Sequence, residues 1–122
     1  MQDTDRPRVL LVDDERDIVG MVVDLLESEG YAVVVAAGTD AARAHLTAER
    51  FALVLCDGYS RSREIAWANA GAILAQAGDI PVALFTAHIV EAAAARAAGF
   101  RAVIRKPFDV DAFLRHIRVL TD

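Results

Sequence analysis

Four short apolar runs, each leading into a polar residue, constrain this chain more than any other feature. Val9-Leu10-Leu11-Val12 runs into Asp13-Asp14, and Leu53-Val54-Leu55-Cys56 runs into Asp57. Val82-Ala83-Leu84-Phe85 runs into Thr86, and Ala102-Val103-Ile104 leads through Arg105 to Lys106-Pro107. Runs of this length and hydrophobicity, separated by helical patterns, read as parallel strands covered on both faces. In open parallel sheets, ligands bind outside the carboxyl ends of the strands. With all four runs parallel, three carboxylates, a hydroxyl and an ammonium group converge on one edge.

The intervening stretches complete the pattern. Residues 15–29 place Ile18, Val22, Leu25 and Leu26 on one stripe, and Gly30 follows where helices commonly end in the left-handed conformation. Residues 32–36 read as a second strand, and Thr39-Asp40 as the cap of an alanine-rich helix reaching about Arg50. The third strand spans 51–56. A helix over roughly 63–77 closes at Gly78-Asp79, and another over about 89–98 ends at Gly99. Asp109 caps a last helix that turns Phe113, Leu114, Ile117 and Leu120 inward. The expected fold is α/β: a flavodoxin-like (βα)5 three-layer sandwich, its parallel five-stranded sheet in the order 2-1-3-4-5.

Size and composition bound the function. A chain of 122 residues, 55% of them hydrophobic, is expected to form one domain over 1–122 with a substantial core. A net charge of −5 argues against direct contact with nucleic acid, which requires a basic face. The single Cys56 excludes an internal disulfide and fits a reducing compartment. No apolar stretch approaches the roughly 20 residues of a membrane span, and residues 1–5 carry no signal-peptide core. A soluble, cytoplasmic domain is expected.

Individually, the polar residues at the strand ends are ordinary. Asp13 and Asp14 at a helix start complement its positive end, and Asp57-Gly58 is a common turn pair. Thr86 suits a strand, and a lysine such as Lys106 is most often solvated. Their joint placement carries the chemistry. Three carboxylates brought together repel unless a cation intervenes, and all-oxygen ligation with room for water is the Mg²⁺ pattern. A carboxylate is also a competent nucleophile toward phosphorus, giving an aspartyl phosphate.

An acidic pair, a lone aspartate, Thr86-Ala87 and Lys106-Pro107, in this order and over nearly the whole chain, resemble the receiver domain of two-component response regulators. The resemblance implies that Asp57 accepts a phosphoryl group from a sensor histidine kinase, a phosphotransfer protein or a small phosphodonor. It further implies that Asp14, Asp57 and the Tyr59 backbone carbonyl ligate Mg²⁺, with Asp13 acting mainly through water. Thr86 would hydrogen-bond a phosphoryl oxygen, and Lys106, before a proline bond usually cis in the family, would supply a cation. His88 and Tyr59 occupy positions that tune the phosphoryl lifetime. Such a domain phosphorylates and dephosphorylates itself and is not an enzyme acting on a separate substrate. Where receivers pair with themselves, the family's face is the fourth helix, fifth strand and fifth helix.

The chain departs from the family in two places. The Asp57 loop lacks the usual Met-Pro pair, and Val103 stands where an inward-swinging aromatic residue is common. Arg61 and Arg63 are candidates for contacting the phosphoryl group or an acidic partner instead. The alternative reading is therefore a phosphorylation-independent pseudo-receiver acting as a protein-binding module. A flavin carrier is disfavoured because Asp13-Asp14-Glu15 would repel phosphate. A phosphatase with an aspartate nucleophile would carry a second Asp where Tyr59 stands. Cys56 reads as a small buried hydrophobe, and His45 and His116 as surface residues.

Overall fold

The two faces of each strand assign the layers. The computed structural model describes residues 6–57, 67–87, 89–106 and 108–122 (for 67–70 the backbone only). The element order is β1 (Arg8–Val12), α1 (Arg16–Ser28), β2 (Ala32–Ala36), α2 (Thr39–Ala48), β3 (Leu53–Cys56), α3 (Trp67–Ala77), β4 (Val82–Thr86), α4 (Ala92–Ala98), β5 (Ala102–Arg105) and α5 (Val110–Thr121). The strands form one sheet in the order β2-β1-β3-β4-β5, and every neighbouring pair is parallel. This is the expected flavodoxin-like topology.

Because strand side chains alternate between faces, each central strand feeds two cores. Val9 and Leu11 of β1, Leu53 and Leu55 of β3, and Ala83 and Phe85 of β4 pack with Val22 and Leu26 of α1 and Phe113 and Ile117 of α5. Leu10 and Val12, Val54 and Cys56, and Val82 and Leu84 pack on the other face, with Ala42 and Leu46 of α2, Ile73 and Ala77 of α3 and Ala95 of α4. Helices thus cover both faces, which explains why β1, β3 and β4 read as continuous apolar runs. Among the described residues no helix is long and apolar enough to cross a membrane.

The ends of the helices follow their sequence signals in part. Asp109 caps α5 as expected, its carboxylate accepting from the Ala112 N–H at 2.9 Å. Gly99 ends α4 in the left-handed region with φ 116°. The expected cap at Thr39-Asp40 is corrected: Gly38, in extended backbone, is the N-cap, so Thr39 is already helical and Asp40 lies in the first turn. There Asp40 serves the helix dipole. The helix expected over 89–98 starts only at Ala92, after Glu91 in extended conformation. Ile89 and Val90 are β-branched and poor at initiating a helix, and the alanine run that follows is well suited to it. Residues 63–66 of the expected third helix lie outside the described residues, as do Tyr59, Arg61, Arg63, His88 and Pro107.

Candidate functional site

The sheet's hydrogen-bond ladder continues one residue past the strand ends and fixes the polar cluster. The Asp13 N–H donates to the Ala36 carbonyl at 3.0 Å, and the Asp57 N–H to the Val12 carbonyl at 2.9 Å. The Lys106 N–H donates to the Thr86 carbonyl at 2.9 Å. Each of these side chains is therefore held by the strand beside its own, which is why residues so distant in sequence meet. Asp13 is tied down further, because its Oδ1 accepts the Glu15 N–H at 3.0 Å at the entrance to α1.

Carboxylate oxygens of Asp13, Asp14 and Asp57 all lie within 4.8 Å of one another. Lys106 Nζ donates to Asp13 Oδ2 at 2.6 Å and lies 3.7 Å from Asp57 Oδ2. Thr86, the last residue of β4, closes the group between Asp57 and Lys106 in strand order. Asp13, Asp57, Thr86 and Lys106 are 1%, 2%, 0% and 5% exposed, and they account for the buried polar side chains among the described residues. Charged groups are rarely buried unless paired, so this concentration at one sheet edge makes it the candidate functional centre.

The charges do not balance. Three carboxylates against one ammonium leave two formal negative charges, with Asp13 and Asp57 buried and Asp14 half-buried. A divalent cation with a preference for oxygen ligands would cancel that excess, and the donor set is all oxygen. Asp14 Oδ1 is itself buried. The residues present therefore fit Mg²⁺. Burial, reinforced by the charges of Asp57 and Asp13, pushes the neighbouring Cys56 thiol from its ordinary 9.0 up to about 12. Its Sγ–H donates to the Asp57 carbonyl at 3.4 Å. A thiol so disfavoured as thiolate is no nucleophile, as its reading as a buried hydrophobe requires.

Of the site residues inferred from sequence, Asp13, Asp14, Asp57, Thr86 and Lys106 occupy one sheet edge, while Tyr59 lies outside the described residues. Two relationships were not legible. The role through water that the resemblance implies for Asp13 gave no sign of its direct side-chain partner, Lys106. Phe85 read only as strand core, yet Lys106 Nζ sits over its ring, 4.8 Å from the centroid. An available signal was register: Phe85 pairs with Ile104, two residues before the lysine. His45 Nδ1 donates to Glu49 Oε2 at 3.1 Å, away from the site, and His116 is exposed on α5.

Residues 9–118 match the model of the response regulator receiver domain. The chain is 36% identical over 106 residues to the nitrogen assimilation regulatory protein NtrX of Azorhizobium caulinodans. That match covers 84% of this chain and 23% of NtrX, so the chain spans about a quarter of that relative's length. Among solved structures it is similar to a response regulator receiver protein of Burkholderia phymatum, with 29% identity, 95% of each chain covered and a TM-score of 0.78. It shares its fold with the Vibrio cholerae chemotaxis protein CheY4 at a TM-score of 0.82, covering 94% of this chain and 98% of that one at 24% identity. With the polar edge in place and the family match running over nearly its whole length, the chain belongs to the receiver domains of response regulators, the signalling domains of two-component systems.

Proposed function

We propose that Asp57 is the phosphoacceptor of a Mg²⁺-dependent switch. The observation that carries this reading is the buried edge in which Lys106 lies within reach of two of three clustered carboxylates. A carboxylate oxygen of Asp57 attacks the phosphorus of a phosphohistidine on a sensor histidine kinase or phosphotransfer protein. The new P–O bond forms as the P–N bond breaks, and the released imidazole nitrogen keeps the electron pair and takes up a proton. Lys106, 3.7 Å from Asp57 Oδ2, stands ready to stabilise negative charge on the transferred group. The Thr86 hydroxyl, one strand over, is assigned the hydrogen bond to a phosphoryl oxygen.

Asp13, Asp14 and Asp57, with the Tyr59 carbonyl by family resemblance, would hold Mg²⁺. When bound, the ion supplies charge neutralisation between the carboxylate and the phosphoryl oxygens. Hydrolysis of the acyl phosphate returns Asp57 to its carboxylate, so the domain resets itself without turning over a separate substrate. Its phosphorylated form exchanges binding partners, and α4, β5 and α5 form the face assigned to a second copy of the chain. A cytoplasmic setting fits the lone, unreactive Cys56 thiol.

Intact mass after incubation with Mg²⁺ and phosphoramidate tests the proposal, with Asp57→Asn alongside. The expected result is a gain of one phosphoryl mass that EDTA or Asp57→Asn abolishes. A folded protein that gains no mass from phosphodonors or from a panel of kinases would instead support a phosphorylation-independent binding module.

A further inference from the structure

Lys106 is buried against three neighbours, two carboxylates and an aromatic ring. Its Nζ meets Asp13 Oδ2 at 2.6 Å, Asp57 Oδ2 at 3.7 Å and the face of the Phe85 ring at 4.8 Å from the centroid. An aromatic face attracts a cation through its quadrupole while carrying no net charge. That distinction matters here, because the edge already holds an excess of negative charge. Another carboxylate beside Lys106 would deepen the excess and bind the ammonium too tightly for it to serve a phosphoryl group. An aliphatic side chain would give the ammonium no attraction at all.

The ring is also held still. Phe85 is fully buried, and its centroid lies 5.7 Å from those of both Phe108 and Phe113, which are 4.6 Å from each other. The three rings belong to the core beneath α1 and α5, whereas Val103 packs into the opposite core with α4. The aromatic support of the site therefore comes from β4 on the α5 side, and position 103 takes no part in it.

We propose that Phe85 is a positioning residue for Lys106: its ring face holds the ammonium between Asp13 and Asp57, so the cation is in place before the phosphoryl group arrives. The inference rests on the phosphoacceptor reading of Asp57 and adds a residue to its machinery. Phe85 itself touches no reacting atom.

Replacing Phe85 by mono- and trifluorinated phenylalanines drains the ring's negative face while nearly preserving its shape. A 4-methylphenylalanine at the same position adds bulk and leaves the face electron-rich. Two readouts are followed in folded protein: the Lys106 ε-methylene proton shifts, and the initial rate of Mg²⁺-dependent labelling by phosphoramidate. The ε protons are expected upfield in wild type, moving toward ordinary values along the fluorine series and in Phe85→Leu. The labelling rate is expected to fall stepwise, by about tenfold in total for a desolvated cation–ring pair, and to be kept by 4-methylphenylalanine. A rate that stays flat along the fluorine series, or that falls equally with the methyl variant, shows that the ring only fills space and overturns the proposal. Unshifted ε protons in wild type overturn it independently of any labelling. A wild type that takes no phosphoryl group overturns the Asp57 reading instead, and the ε protons still decide whether the ring holds the lysine.

Discussion

Lys106 Nζ donates to Asp13 Oδ2 at 2.6 Å across a separation of 93 residues. The closest partner of the lysine is thus not Asp57, the residue assigned to carry the phosphoryl group, which lies at 3.7 Å. Asp13 holds the cation close to Asp57, the proposed nucleophile, without Asp57 being the lysine's nearer partner. Both partners are buried, so removing one strands the other's charge. Lys106→Met is expected to destabilise the fold by roughly 3–5 kcal/mol in urea unfolding, the range for breaking a buried pair. Adding Asp13→Asn should restore part of that loss, because the two effects share one interaction. Additive losses would show that the pair contributes little.

Mg²⁺ binding should appear as stability. A ligand that binds only the folded state stabilises it by about 2.7 kcal/mol at a hundredfold excess over its dissociation constant. Thermal unfolding is therefore expected to shift upward with Mg²⁺ and back with EDTA. Asp57→Asn and Asp14→Asn should each abolish most of the shift. Without the ion, Asp57→Asn should be no less stable than wild type, since it removes one of three mutually repelling carboxylates. A Mg²⁺ response that survives both substitutions would place the ion elsewhere.

The fold was legible because it rests on periodicities of the chain itself. Apolar runs such as Leu53-Val54-Leu55-Cys56, followed at once by a charge, announce strands buried on both faces with a polar edge. Four helix ends, at Gly30, Gly78, Gly99 and Asp109, carried signals that the backbone obeys. The start of α2 did not, because Gly38 can take the capping position in extended backbone and leave Thr39 inside the helix. Which strand ends meet was an inference from topology. Which side chains touch was beyond it, since the Asp13–Lys106 pair and the ring beneath Lys106 depend on rotamers of a long, flexible side chain.

The turn after α4 offers a local test of backbone strain. Gly99 has φ 116°, and a Cβ built there would meet Leu74 Cδ1 at 3.4 Å, an ordinary contact. Any cost of Gly99→Ala therefore comes from the dihedral angle and not from crowding. It is expected at about 1–3 kcal/mol, the range for a residue other than glycine held in a sparsely populated region. Chemical unfolding measures it, and a neutral substitution would mean that the turn relaxes freely.

Cys56 predicts a pH dependence of defined sign. Burial beside Asp57 and Asp13 raises its thiol from 9.0 to about 12. The folded protein therefore keeps a proton that the unfolded chain releases above pH 9. Stability from this source is full below that pH and declines as pH rises toward 12, by about 1.4 kcal/mol per unit. Other groups titrate in the same range, so the informative quantity is the difference between wild type and Cys56→Ala. Relative to that variant, wild type should lose stability steadily above pH 9, while the two curves run parallel below pH 8. Iodoacetamide gives the kinetic counterpart. Cys56 should stay unmodified in the folded protein at pH 8 and react once urea unfolds it, because only the thiolate attacks. Rapid modification of the folded protein at pH 8 would contradict both expectations and would show that this edge of the sheet opens to solvent more readily than its burial implies.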